Sequence, residues 1–418
     1  MNSQARFNVV PAGRRSGKTE RAKRKLVRIA LSCVSEFEDP RYFAAAPTRQ
    51  QAKDIWWLHL KQLSPRETIV DISESELRIK YITGASITVV GMDKPERIEG
   101  QPWDGGVLDE FANMKSHAWD ANIRPALSDR KGWCDLIGVP EGRNHYYELF
   151  EQALNDGKEW RAFTWPSKDI LPEHEVESAK SRMDPLIFQQ EYEASFVNFA
   201  GRIYHCFDSM VHRCPTLEYN PKLPLVFCFD FNVAPGVAAI CQEFPELPTP
   251  GKLPGTAVIG QVHIPQGSNT KFVCNKLIND WGKHPGKVYC YGDATGGAPG
   301  SAKTEGSDWD IIRRMLRPVF QDRLLIMVPD GNPAERARVN AVNNRLLNAA
   351  GEVRMLVNPV KAPAVVKDFE GVRCVEGGSG EIDKESDKKL THISDALGYY
   401  IHYKFPVITG AAPRDITI

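Results

Sequence analysis

Residues 12–19, AGRRSGKT, set a lysine and a hydroxyl side chain behind a glycine, at the end of a short basic loop that follows the apolar run FNVVP. That order suits a polyphosphate. Loop N–H groups and the start of the next helix face the phosphates, Lys18 reaches the β- and γ-phosphates, and Thr19 offers its hydroxyl to Mg²⁺. Ala12 stands where the pattern G-x-x-x-x-G-K-[ST] has its first glycine, and Gly13, Arg14, Arg15, Ser16 and Gly17 complete the loop. Arg14, four residues before Lys18, falls where the loop curls over the γ-phosphate, and a cation there senses or stabilises the transferring group. Arg15 is beside it, and the sequence leaves open which of the two points inward.

Such a loop needs an acidic partner at the end of a buried strand, and GGVLDEF at 105–111 supplies one. Asp109 is placed to hold the magnesium water shell and Glu110 to polarise the attacking water. A second constellation lies far downstream. Asp230 closes the run LVFCF, Asp293 follows KVYCY, and Asp395 sits in HISDALGYY at a helix start. Carboxylates ending two strands and opening a nearby helix can converge on two divalent ions that activate water and stabilise a leaving oxygen. Asn232 and His392 are near enough in sequence to support them. The charge run holding Asp383 and Asp387 reads as a solvated face, and Arg336, Arg338, Asn340, Asn344 and Arg345 as either DNA-backbone contacts or ordinary surface pairs.

Up to about residue 198, short β-rich runs alternate with helical ones: strands at 7–11, 41–46, 77–81, 86–91, 106–108 and 134–139, helices at 18–32, 48–63, 117–127 and 146–156. The alternation predicts a mostly parallel α/β sheet. A second β-rich start covers 225–230, 236–242 and 257–263, with a helix at 270–283 and PELPTPGKLPG (245–255) as a hairpin excursion. Residues 199–222 read as a connector and 406–418 as a tail, leaving domains at 1–198 and 223–405.

The chain has 418 residues, 25% charged and 42% hydrophobic, with 53 basic against 53 acidic side chains, which excludes disordered and collagenous classes. Zero net charge does not exclude nucleic acid, because binding needs a local basic surface. No run approaches a membrane span, and the start carries no apolar signal core, so a soluble cytoplasmic protein is expected. Nine scattered cysteines include no C-x-x-C pair; His205, Cys206, His212 and Cys214 crowd together at a spacing that fits no standard zinc pattern.

Together GRRSGKT, VLDEF, the stretch 119–150, FQQEYEASF (188–196), FDFNVAPG, YGDATGG and HISDALGYY resemble the large terminase subunit of tailed bacteriophages over nearly the whole chain. The resemblance implies an N-terminal P-loop (RecA/ASCE-like) ATPase domain and a C-terminal RNase H-like nuclease domain. It implies ATP and Mg²⁺ as cofactors, with Mn²⁺ possible at the nuclease site. The implied activity is ATP-driven translocation of double-stranded DNA into a procapsid, with cutting of concatemers, in the host cytoplasm. Implied partners are the small terminase subunit and the portal, on which the chain forms a homo-oligomeric ring. By position, Lys18 and Thr19 match the family's phosphate loop, Arg14 its arginine, Asp109 and Glu110 the acidic pair, and Asp230, Asp293 and Asp395 the nuclease triad. One of Arg124, Arg130 and Arg143 falls where an arginine finger reaches a neighbouring ATPase. Three features depart from the pattern: Ala12 holds the first glycine position, IGVPEG has Gly138 and Val139 where a hydroxyl residue precedes the proline, and the adenine-reading segment is reduced to Gln4 or Arg6. The competing readings are an ATP-driven helicase or repair translocase-nuclease, and an ATPase whose rear half binds DNA without cutting it.

Overall fold

The computed structural model describes residues 5–32, 35–197, 201–231, 235–297, 307–375, 382–383 and 390–407. Gln4, Asn232, Asp387 and the stretch 408–418 lie outside them. The chain divides into two compact units, 1–176 with 189–198, and 177–188 with 199–418. Residues 177–188 thus group with the rear unit, against the expected cut at 198.

The front unit is built on eight strands: β1 (Phe7–Pro11), β2 (Arg41–Ala46), β3 (Ile69–Ser73), β4 (Arg78–Tyr81), β5 (Ser86–Gly91), β6 (Gly105–Leu108), β7 (Trp133–Gly138) and β8 (Trp160–Ala162). Their order is β3-β4-β5-β2-β6-β7-β1-β8, parallel throughout except for the antiparallel ladder β3–β4–β5 at one edge. Alternation places successive residues on opposite faces. Phe7 and Val9 of β1 enter one core with Phe43 of β2 and Trp119, while Val10 enters the other with Ala44 and Leu26. The helix Lys18–Leu31 lies on that second face through Ala22, Leu26, Val27 and Ala30, an i, i+4 stripe. Two expected helices are interrupted, each by one wide turn: Lys53–Trp57 inside 49–63 and Trp119–Ile123 inside 119–126. Such π-turns shift the apolar stripe without ending the helix.

The rear unit has β9 (Leu225–Asp230), β10 (Gly236–Phe244), β11 (Gly255–Ile264), β12 (Val288–Gly292), β13 (Leu324–Ile326) and β14 (Met355–Val357), in the order β13-β12-β9-β10-β11-β14. The antiparallel meander β9–β10–β11 is flanked by β12 running parallel to β9, and β13 parallel to β12. This is the RNase H-like arrangement expected. Along β9, Val226 and Cys228 face one core, Leu225, Phe227 and Phe229 the other. Burying a phenylalanine such as Phe227 completely contributes about 2–3 kcal/mol. The stretch 199–222 is not a loose connector where it is described: Ile203, Tyr204 and Phe207 are buried in the rear core and the Ile203 N–H donates to the Val372 carbonyl. Among the described residues no helix is long and apolar enough to cross a membrane.

Candidate ATPase and nuclease centres

In the front unit, β1 delivers the loop at its carboxyl end and β6, two strands away, delivers the acidic pair at the same end of the sheet. Arg15 (φ 61°) and Gly17 (φ 77°) both adopt the left-handed conformation, which turns successive N–H groups into one concavity. Neighbours hold the loop tightly. The Ala12 N–H donates to Gly138 O at 3.0 Å, Gly13 N–H to Trp165 O at 3.0 Å, and Arg14 N–H to Glu191 O at 2.6 Å. The Trp165 indole donates to Ser16 O at 3.0 Å and the Ser167 hydroxyl to Arg14 O at 2.7 Å. A Cβ at Gly13 would fall 2.6 Å from the Ser167 nitrogen and 2.7 Å from Tyr192 O, so the invading strap demands glycine there. Ala12 is wholly buried, and its methyl costs nothing in this setting.

Lys18 is 7% exposed, and the Thr19 hydroxyl donates to Asp109 Oδ2 at 2.8 Å. Asp109 Oδ1 accepts from the Glu110 N–H at 2.9 Å, and Glu110 holds a left-handed backbone, φ 53°. Strain of that kind costs about 1 kcal/mol or more and is retained where surroundings enforce it. Burial, then the adjoining Glu110 carboxylate, push Asp109 up to about 6 against the pull of Lys18 and Thr19. Arg14 is the inward arginine: its Nε donates to Glu191 Oε2 at 2.5 Å, whereas Arg15 is exposed. Burial opposes the Arg14 charge, but Glu191 and then Glu110 outweigh it and raise its pKa. The Ser16 hydroxyl is buried without a hydrogen-bond partner, an orphan at the centre of the loop that a phosphate oxygen would satisfy. The residues therefore fit a bound nucleotide with Mg²⁺. Gly138, in the departing segment, is required by the acidic turn, since a Cβ there would lie 3.2 Å from the Phe111 nitrogen.

Arg6 has no part in this pocket; it donates to Gly132 O, Leu127 O and Glu159 instead. Of the three candidate finger arginines, Arg130 is fixed by Asp39 and Asp104, with its side chain 9% exposed, and Arg124 meets Glu159 at 3.3 Å. Arg143 is exposed, against the ring of Tyr147.

In the rear unit, parallel β9 and β12 are in register with Gly292 beside Phe229, so Asp230 and Asp293 stand at adjacent strand ends. Asp395 sits in the first turn of the helix His392–Lys404. That helix packs against both β9 and β12, and the Tyr399 hydroxyl on it, raised by burial against the pull of Arg338, is raised further by Asp293, Asp230 and Asp395. Asp293 Oδ1 accepts from the Asn332 amide at 2.6 Å and from the Thr295 N–H and hydroxyl. His392 Nδ1 lies 3.3 Å from Asp230 Oδ2, beside the carboxylate it is expected to support. Three carboxylates oriented by amide and imidazole groups form a hard-oxygen donor set suited to Mg²⁺ or Mn²⁺. Asn332 was missed in the sequence because it lies on a loop with no motif of its own.

The histidine–cysteine crowd disperses. His212 bonds to Asp208 and to Leu346 O, while His205 and Cys206 gather with Asp184, their ligand atoms within 4.8 Å of one another. The Asn343 amide donates to His205 Nδ1 at 3.4 Å, which leaves the proton on Nε2, 3.0 Å from Asp184 Oδ1. Asp184 in turn accepts from the N–H groups of Leu186 and Ile187 at the start of the next helix. Asp184 thus caps the helix Pro185–Tyr192 and accepts from His205 as well.

Sheet order and both centres define a P-loop ATPase fold joined to an RNase H-like fold with an acidic centre. Residues 10–210 match the family described as terminase large subunit, T4likevirus-type, N-terminal. The large terminase subunit of Thermus phage G20c is 26% identical over 247 residues, covering 50% of this chain and 50% of that protein, and that of Escherichia phage T5 is 22% identical over 166 residues, covering 38% of each. The chain thus spans about half the length of the curated relatives it matches. The large terminase of a thermophilic bacteriophage, solved in complex with ADP, shares the fold across 95% of this chain and 94% of that one, with a TM-score of 0.56 at 14% identity. The chain is thus similar in sequence to the large terminase subunits of tailed phages over its front half, and similar to a large terminase in fold over nearly its whole length.

Proposed function

We propose that the chain is the motor-nuclease of phage DNA packaging: it hydrolyses ATP to drive double-stranded DNA into a procapsid and cuts concatemers by metal-dependent phosphodiester hydrolysis. The observation that carries this reading is the pairing, in one chain, of a phosphate site in which half-buried Thr19 joins buried Asp109 beside buried Lys18 with aspartates at two adjacent strand ends and a nearby helix start in the rear unit. Lys18 and the loop N–H groups hold the β- and γ-phosphates, Thr19 and Asp109 position Mg²⁺, and Glu110 orients and polarises the attacking water. Arg14, released from Glu191, neutralises charge on the transferring phosphoryl group. Arg143 is the finger offered to a neighbouring subunit in a ring on the portal. In the rear unit Asp230, Asp293 and Asp395 hold two divalent ions, whose chemistry when bound is to generate hydroxide and stabilise the leaving oxygen. His392 and Asn332 keep two of those carboxylates aimed. The small terminase subunit selects the site, and the setting is the host cytoplasm. The test is purified protein given linear duplex and supercoiled plasmid: DNA-stimulated ATP hydrolysis and metal-dependent plasmid cutting together support the reading, and absence of both rejects it.

Asp109 makes the front site pH-dependent in a defined direction. Its carboxyl holds a proton more tightly in the fold than in the unfolded chain, so the nucleotide-free protein loses stability at this group as pH rises through about 4 to 6. Protonation below about 6 also removes the magnesium-directed acceptor. Calorimetry of Mg²⁺·ATPγS binding should show affinity falling as pH drops through that value, with a proton released on binding there, and Asp109→Asn should flatten the profile.

A further inference from the structure

Arg338 does not reach a solvent-facing DNA surface. It lies on the helix Glu335–Leu346, 7% exposed, with its guanidinium carbon 4.2 Å from the ring centre of Tyr399 and Nη1 3.3 Å from Asp395 Oδ1. The helix His392–Lys404 admits it at Gly398, where a Cβ would come within 3.4 Å of the Arg338 Cβ. Nε and Nη1 are buried yet make no hydrogen bond among the described residues, so the approach to Asp395 is a meeting of charges outside hydrogen-bond geometry. An arginine serving only the fold would be fastened through its donor fork, because a buried, poorly bonded cation is costly. What compensates this one is the field of the carboxylates. Among the described residues, Asp230, Asp293 and Asp368 are the carboxylates gathered with Asp395, His392 stands against Asp230, the buried Tyr204 and Tyr399 hydroxyls feel the Asp395 charge, and Arg338 brings a permanent cation to Asp395 itself.

We propose that Arg338 is a positioning residue that sets the charge of the acidic centre, holding Asp395 in place before metal arrives and raising the divalent-ion concentration the centre needs. The inference rests on the nuclease reading above. A fixed positive charge within a few ångströms of an ion ligand opposes entry of further positive charge, and the penalty is largest for the last divalent ion to bind. A scissile phosphate brings the compensating negative charge. DNA and full metal loading therefore favour each other, and a motor that moves duplex past its own nuclease keeps that nuclease under-loaded until a phosphate is seated.

The experiment is titration of the full-length, nucleotide-free chain with Mn²⁺ at neutral pH, reading free Mn²⁺ by electron paramagnetic resonance, with Asp293→Ala as the blank. Arg338→Gln is expected to tighten the weaker Mn²⁺ site by about tenfold, and Arg338→Lys, which keeps the charge, to stay within about twofold of the parent. The half-saturating Mn²⁺ for plasmid cutting should fall in parallel in Arg338→Gln, while maximal cutting drops because Asp395 is less well held. Unchanged or weaker Mn²⁺ binding in a folded Arg338→Gln protein overturns the proposal, as does an equal shift in Arg338→Lys. Should Arg338→Gln not fold, Arg338→Met, which keeps the stem and drops the charge, carries the same expectations. If Asp293→Ala leaves all Mn²⁺ binding intact, it is the nuclease reading that fails.

Discussion

Asp293→Ala is expected to cut supercoiled plasmid at least about 10³-fold more slowly than the parent chain at saturating Mg²⁺ or Mn²⁺, while its ATP hydrolysis stays unchanged. The size follows from the role. A carboxylate that holds a divalent ion contributes nothing that a neighbouring amide can replace, and without it the ion is neither placed nor able to lower the pKa of its water. The position also makes the variant interpretable. Asp293 lies beyond the end of β12 on a half-exposed turn, its carboxylate bonded to Asn332 and to Thr295. Truncation there should cost about 1 kcal/mol or less of stability, visible as a small shift in the unfolding temperature. Asp293→Asn keeps the shape and removes the charge, so it should be equally inactive; recovery of cutting in the amide variant would mean that the aspartate orders the turn and does not hold metal. Cutting retained in both variants would return the rear half to the reading of a DNA-binding platform.

Most of the candidate site residues are legible because they follow an apolar run, Asp395 at a helix start being the exception. A strand buried on both faces announces its own end, and the polar residue that follows is where the sheet delivers a side chain to a crevice. Phe7–Pro11 before the loop, Gly105–Leu108 before Asp109, Leu225–Asp230 and Val288–Gly292 before Asp293 all follow that logic. What stayed hidden comes from segments whose partners are remote. Trp165, Ser167 and Glu191 strap the phosphate loop from about 150 to 177 positions away, and none sits in a pattern of its own. The three-residue strands β8 and β13 are too short to show alternation and exist because β1 and β12 offer them an open edge. In β3, Val70, Asp71 and Ile72 are all exposed, so no apolar face marks it. Arg338 was read as a surface cation because helical spacing cannot tell an outward arginine from one turned onto a carboxylate on the next helix. The mixed composition of 199–222 likewise concealed that Ile203, Tyr204 and Phe207 belong to the rear core.

Lys18→Ala and Glu110→Gln should both abolish DNA-stimulated ATP hydrolysis, by about 10³-fold or more, yet for different reasons that binding measurements separate. Lys18 is nearly buried at the loop, and in the proposed mechanism its ammonium meets the phosphates directly. Losing it removes charge that binds ground state and transition state alike, so Mg²⁺·ATP affinity should fall with the rate. Glu110 makes no such contact. Its backbone is left-handed and its N–H is bonded to Asp109 Oδ1, and in the proposed mechanism its carboxylate polarises the attacking water while Asp109 holds the metal. The amide keeps the size and cannot polarise that water, so Glu110→Gln should bind Mg²⁺·ATP within about threefold of the parent and fail at the chemical step alone. It should bind somewhat better if anything, because removing the Glu110 charge withdraws one of the two causes that push Asp109 up to about 6 and leaves that carboxylate more fully ionised at neutral pH. Equal loss of affinity in both variants would mean that Glu110 helps to hold the nucleotide, and the division of labour between the two acids would have to be redrawn. Metal-dependent plasmid cutting should survive in both variants, because the carboxylates that carry it belong to the rear unit and both substitutions fall in the front one.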